Sequence, residues 1–378
     1  MTTRIHTSAI FLLLFAGACV EQYNPPRESS EFLGYLVVDG YLDGNTGNAT
    51  VKLARSVTLN SYSALPYETD ANVIVEIENG GSFSLKEGSN GLYTANNVNF
   101  DSKSNYRLNV KTKHGSSYTS DYISLKKSPS FDSLVWRAED TGIRFYVNGH
   151  DDTGGTKYYQ YLFDETWAYG VPFVSHYKNI DGLPVKRRNN ELVADCWDSR
   201  GSANVLIKST NDLSKDVVSM FPIYFIKKGE RKLLVLYSIN VEQRALSERE
   251  YSFWTQIKRN NESLGGLFDP IPSQVTGNVR CDDNSEPVLG YFTGGYSKQT
   301  RIFLKLDDLP KSLQSLDPLG YDCATWDFSL SRGEAIGAQI YLDIHIPPNV
   351  YFVTSPNCGD CISLGGDTIR PKYWPQTE

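Results

Sequence analysis

The stretch Tyr35-Leu36-Val37-Val38-Asp39-Gly40-Tyr41 decides the fold class. It opens a series of short alternating segments that runs from Phe32 to about Lys127. Thr50-Val51-Lys52-Leu53, Asn72-Val73-Ile74-Val75-Glu76-Ile77, Ser82-Phe83-Ser84-Leu85 and Tyr106-Arg107-Leu108-Asn109-Val110 follow in order. The joints between them are Asp43-Gly44, Asn79-Gly80-Gly81, Asn90-Gly91 and His114-Gly115, where Gly and Asn accept positive φ at small cost. Period-two segments at this spacing predict an antiparallel sandwich of about seven strands. Tyr106 stands where a tyrosine opens a late sandwich strand.

Working toward the C-terminus, a second β-rich region, 128–378, begins after Lys126-Lys127-Ser128-Pro129. Strands are expected at Gly142–Val147, Lys157–Trp167, Val205–Ile207, Pro222–Ile226, Lys232–Val241, Val288–Thr293 and Thr300–Leu304. One helix is expected near 247–260. Ser247-Glu248-Arg249-Glu250 forms a capping box, and Tyr251, Trp254 and Ile257 follow on one stripe with Lys258 beside them. Such a helix packs on a sheet.

Toward the N-terminus, Ala9–Ala18 is an uncharged apolar run of ten residues, against the roughly 20 that a spanning helix needs. The run reads as the core of a signal peptide over 1–18. Ala16-Gly17-Ala18-Cys19 resembles a bacterial lipobox, whose cysteine is acylated and becomes the mature N-terminus. Residues 19–31, polar with a Pro-Pro pair, read as a lipidated tether. Removing Arg4 with the signal takes the net charge from −7 to about −8, which argues against nucleic acid as a partner. The charges are dispersed, as on a solvated surface.

Wording for catalysis is scarce. The chain carries no G-x-S-x-G, H-E-x-x-H, Walker-type loop or dinucleotide fingerprint. His114, His150, His176 and His345 are far apart. His150, beside Asp151 and Asp152, is the best acid, base or metal candidate, though it falls in an expected turn. Asp164-Glu165 and Asp195 with Asp198 are carboxylate pairs, but neighbours in a strand face opposite sides. Trp167, Tyr169 and Phe173 end the aromatic strand in a Gly/Pro loop and form the candidate binding loop. No catalytic residue, metal or cofactor is expected.

Six cysteines less Cys19 leave Cys196, Cys281, Cys323, Cys358 and Cys361. In an exported chain these should pair with one left over. Cys358 and Cys361 in the CGDC stretch could instead form part of a zinc site or a redox pair. The Ile-Ser-Leu-Gly-Gly that follows is a poor helix start for redox use. A C-terminal staple is expected, with Cys323 or Cys281 crossing to Cys358 or Cys361 and pinning Gly365-Gly366 and Trp374 against the second region.

Gly34–Gly40, Ile143–Asp152 (IRFYVNGHDD), Tyr158–Trp167, Ala245–Ile257, Leu267–Val279, Pro287–Phe292 and the closing CGDC with Gly365-Gly366 and Pro371–Trp374 carry a resemblance in their order. The chain resembles the Bacteroidota lipoprotein family named domain of unknown function forty-two forty-nine. The resemblance implies an immunoglobulin-like or transthyretin-like N-terminal sandwich on an outer-membrane lipoprotein, encoded beside a TonB-dependent receptor, with no established catalytic residues. The expected role is a non-enzymatic accessory or substrate-binding partner of such a transporter, whose ligand is unassigned. An adhesive or structural surface protein and an exported hydrolase or thiol oxidoreductase are the alternatives. Surface export in that phylum usually needs an acidic-rich signal after the lipid cysteine, and only Glu21 lies close, so either face of the outer membrane is open.

Overall fold

The computed structural model describes residues 34–57, 66–181, 183–262, 275–284, 286–314, 323–329, 340–346 and 350–376. The chain is mainly β, in several sheets. In β1 (Leu36–Asp43), Leu36, Val38, Gly40 and Leu42 point inward and Val37, Asp39, Tyr41 and Asp43 outward, the two-residue period of a strand with one buried face. The same rule places β2 (Asn48–Arg55), β3 (Asn72–Ile77), β4 (Ser82–Glu87), β5 (Leu92–Ala95), β6 (Asn105–Lys111) and β7 (Ser117–Ser120). Short strands β8 (Ile123–Ser124) and β9 (Lys126–Lys127) follow. Tyr106 is buried, and its hydroxyl accepts from the Asp101 N–H and donates to the Asp101 carbonyl, tying the corner before β6.

These strands do not close the sandwich by themselves. The described residues continue through β10 (Phe131–Glu139), β11 (Gly142–His150), β12 (Tyr158–Gly170), the hairpin β13 (Tyr177–Ile180) and β14 (Leu183–Lys186), β15 (Asp195–Gly201), β16 (Leu206–Ser209), β17 (Val217–Lys227) and β18 (Leu236–Ala245). Helix α1 (Glu248–Glu262) comes next, and then β19 (Val279–Cys281) and β20 (Leu289–Tyr296) return to the first region. β20 lies parallel to β1, and β19 is antiparallel to β7. The resulting curled sheet runs β9-β20-β1-β2-β5-β4-β3-β6-β7-β19, with β8 beside β6. Val279, Val288 and Phe292 join Leu36, Val51, Val75 and Leu108 in one core. The expected boundary at 127 is thus crossed: residues 128–278 are an excursion between strands of one sandwich.

That excursion holds most of a second sandwich, which later residues complete. The three-stranded sheet β10-β11-β17 packs on a five-stranded one ordered β15-β12-β18-β21, with β16 also beside β12, where β21 spans Lys298–Lys305. Ile143, Phe145, Val147 and Ile226 from one sheet meet Tyr161, Phe163, Tyr237 and Ile239 from the other. A third, smaller sheet of β22 (Thr325–Ser329), β24 (Val350–Thr354) and β23 (Ile340–Ile346) encloses Phe328, Tyr341, Tyr351 and Val353. Among the described residues, no helix is long and apolar enough to cross a membrane.

The two sandwiches meet where the chain crosses between them. β20 runs into β21 through the buried Ser297. Ser128, at the expected boundary, is also buried: its N–H donates to the Tyr296 carbonyl and its hydroxyl accepts from the Ala245 N–H. The boundary is therefore a packed joint. Gly290 lets β20 approach: its φ is +99°, and an added Cβ would stand 1.9 Å from the Val38 carbonyl oxygen.

Candidate functional site

A cavity of about 150 Å³ lies in the seam between the sandwiches, bounded by residues 121–126, the first turn of α1 and β20. The helix start at this wall is set by the sequence. The Glu250 N–H donates to Ser247 Oγ at 3.2 Å, and the Glu250 carboxyl accepts from the Ser247 backbone, completing the capping box. The helix then packs Phe253, with Trp254 and Ile257 partly buried, on Tyr291 and Val275. Phe253 is the buried centre of this face, with the expected Trp254 and Ile257 beside it, while the expected Tyr251 turns aside to stack on Tyr158 at 4.9 Å.

Glu250 is only 5 % exposed. Burial pushes its carboxyl up to about 7, against the opposing hydrogen bonds from Thr293 and Ser247. Around it stand Arg244 and Lys126, and Arg249 pairs with Asp121, which also takes Arg280 at 2.9 Å. Tyr291, across the cavity, is pushed up to about 12 by burial and by the Glu250 charge. Asn278 braces the far wall, donating to the Phe292 carbonyl at 2.7 Å and accepting from the Phe292 N–H at 2.8 Å. The arrangement buries one carboxyl among cations and hydroxyls, enough to hold a proton or a few-atom polar guest.

The residues singled out from the sequence lie elsewhere. Trp167 and Tyr169 are 2 % and 1 % exposed, so they do not form a binding loop. β12 continues to Gly170, which keeps both rings on its inner face, and the C-terminal tail covers the outer face: Thr166 bonds the Tyr373 hydroxyl and Ala168 packs on Trp374. Phe173 is half-buried, and its N–H donates to the Cys358 carbonyl. His150 ends β11 and bonds Asp132 at 2.7 Å, with Asp152 at 3.4 Å. The Asp132 contact raises its pKa, and the geometry ties strand ends together across β10 and β11. His114 and His176 are exposed. Among the described residues, no group of three His, Cys, Asp or Glu could hold a metal.

Asp164 and Glu165 face opposite sides of β12, as strand geometry requires. Asp164 takes Arg301 at 2.6 Å on the outside, while Glu165 takes Lys232 at 2.6 Å within. Tyr237 donates to the second Glu165 oxygen, and Tyr224 is bonded to the same ammonium. Burial pulls Lys232 down, but its bonds to Glu165 and Tyr224 prevail and raise it. The strand expected from Lys232 starts only at Leu236, because 231–233 form a 3-10 turn that delivers Lys232 to Glu165.

Two disulfides are present, Cys323–Cys358 and Cys196–Cys361. The first is one of the expected pairings. The second brings in Cys196, which the sequence reading left out of the staple. Cys281 belongs to neither: it sits on β19, buried in the first sandwich core, and its thiol donates to Asp283. It is carried away from the C-terminus by the return of the chain to β7. Gly366 packs so closely on Tyr169 and Cys196 that a Cβ there would meet the Tyr169 hydroxyl at 2.2 Å. Cys19 lies outside the described residues, as do 267–274.

The architecture is that of a double β-sandwich with a polar seam and a disulfide-bound C-terminal sheet. The family model described as Domain of unknown function (DUF4249) matches residues 20–301, and the chain belongs to that family. No curated protein matches it.

Proposed function

We propose that this chain is a lipid-anchored, non-enzymatic accessory protein of an outer-membrane TonB-dependent transporter. The carrying observation is the Ala16-Gly17-Ala18-Cys19 sequence after a ten-residue apolar run, which supports acylation at Cys19 and export. Four of the five other cysteines in disulfides support the same reading, since such bonds belong to oxidising compartments. The transporter partnership rests on the family resemblance. A seam cavity of about 150 Å³ is small beside the roughly 300–1,000 Å³ of drug-sized ligand pockets. The seam is therefore too small for a bulky substrate, while open depressions of about 370 and 420 Å³ lie at residues 126–129 with 151–156 and at 119–122 with 280–284.

The test is purification of the tagged lipoprotein from outer membranes solubilised in mild detergent. A large β-barrel receptor should accompany it, and recovery of the lipoprotein alone would overturn the partnership. In parallel, mass spectrometry should find a diacylglyceryl group on Cys19 that Cys19→Ser removes.

A further inference from the structure

The Glu250 carboxyl occupies a place that neither the accessory role nor the fold requires of an acid. It stands at the one point where α1, β20 and the joint at Lys126–Ser128 converge, beside a cavity that already has room for water. Its neutral form needs no counter-charge in this buried place, whereas the bonds from Ser247 and Thr293 favour the ionised form. Its ionised form would have to be solvated, and the cavity offers the nearest route for water to enter.

We propose that Glu250 is a proton-operated latch between the two sandwiches: protonated, it seals the seam, and ionised, it draws water into the cavity and loosens α1 from β20. The groups that face it come from every packed element. β18 contributes Arg244 and β9 contributes Lys126, both favouring the ionised form. Tyr41 on β1 and Tyr291 on β20 are both raised by burial, and each lies close enough to feel the Glu250 charge. Arg249 and Asp121 neutralise each other at the cavity rim. The two cations are insufficient to offset burial, because the carboxyl still titrates at about 7.

The sign follows from linkage. A carboxyl raised from 4.5 to about 7 binds more protons folded than unfolded across that interval. Its stabilising contribution is therefore complete below about 4.5 and lost as pH rises to about 7, with no further change above. Opening that exposes Glu250 should become easier by roughly two orders of magnitude over the same window, since the interval spans about 2.5 pH units.

Native-state hydrogen exchange on the full mature protein, expressed as protection factors corrected for intrinsic rates, reads this directly. Segments 121–126, 247–253 and 289–296 should lose roughly 100-fold in protection between pH 4.5 and 7.5, while β11 and β12 should not follow. Glu250→Gln should keep high protection at both pH values. Thr293→Val, which removes a donor to the ionised carboxyl, should move the wild-type midpoint upward, and it decides the matter should Glu250→Gln fail to fold. Wild-type protection that ignores pH, a Gln variant with the wild-type profile, or a midpoint unmoved in Thr293→Val would each overturn the latch.

Discussion

Glu165 and Lys232 show what a buried charge demands of its neighbours. Their side chains are 4 % and 10 % exposed, and the Lys232 ammonium also lies 4.9 Å from the Trp167 ring. Lys232→Met leaves the carboxylate with Tyr237 alone, and the loss should be about 3–5 kcal/mol, read by urea denaturation. The double variant Glu165→Leu with Lys232→Met should recover most of that, because the apolar pair has no charge to desolvate. Sequence reading placed Glu165 on the opposite side of the strand from Asp164, which is a local property. It did not place Lys232 beside it, because that contact depends on a 3-10 turn 67 residues away. Trp167 and Tyr169 were misread for a similar reason. Gly170 and Pro172 look like a loop when read alone, but the strand pairs through Gly170 with Asp195, and the tail that covers it arrives some 200 residues later.

Among elements, β20 most clearly separates what local pattern determines from what it does not. Its apolar residues announce a strand, and β1 announces another. Nothing within either announces that they lie side by side and parallel, since parallel pairing is always made by distant segments. Gly290 is the residue that permits it. Gly290→Ala would require an L side chain at φ +99° and a Cβ 1.9 Å from a carbonyl oxygen, so it should cost at least about 3 kcal/mol and lower the thermal midpoint accordingly. Gly81→Ala, with nothing within 4 Å of the added carbon, is the matched control and should be close to neutral. Helix α1 was legible to within two residues because its cap is written in four consecutive letters. What escaped was the burial of Glu250 in that cap, which depends on Thr293 and Lys126. Strands β22–β24 lacked any clear alternating text; backbone ladders join them, and the Cys323–Cys358 bond ties the chain before β22 to the chain after β24.

At the scale of the whole molecule, the first sandwich is discontinuous in sequence. The fragment 34–127 lacks β19 and β20, exposes one edge of β1 and deletes Val279, Val288 and Phe292 from the core. It should show no cooperative unfolding transition by circular dichroism, whereas the mature chain should. The Cys196–Cys361 bond closes 165 residues, so its removal in Cys196→Ser should cost about 5 kcal/mol by the loop-entropy argument. The loss should appear first as freed exchange in the C-terminal tail. A boundary drawn at 127 follows composition, and composition registers the Lys-Lys-Ser-Pro stretch as a break. The hydrogen bonds of Ser128 to Tyr296 and Ala245 turn that break into the point where three chain crossings are fastened together.

The position of β1 also has a mechanical meaning. It is the first strand after residue 33, and it is hydrogen-bonded along its length on both sides, to β2 and to β20. Tension applied at its leading end along the strand axis would load two ladders in shear at once, with bonds sharing the force in parallel, instead of peeling them open one by one. β20 passes that load directly into β21 and so into the second sandwich. A pull on the N-terminal end is thereby distributed through the body of the molecule before any single strand can leave it.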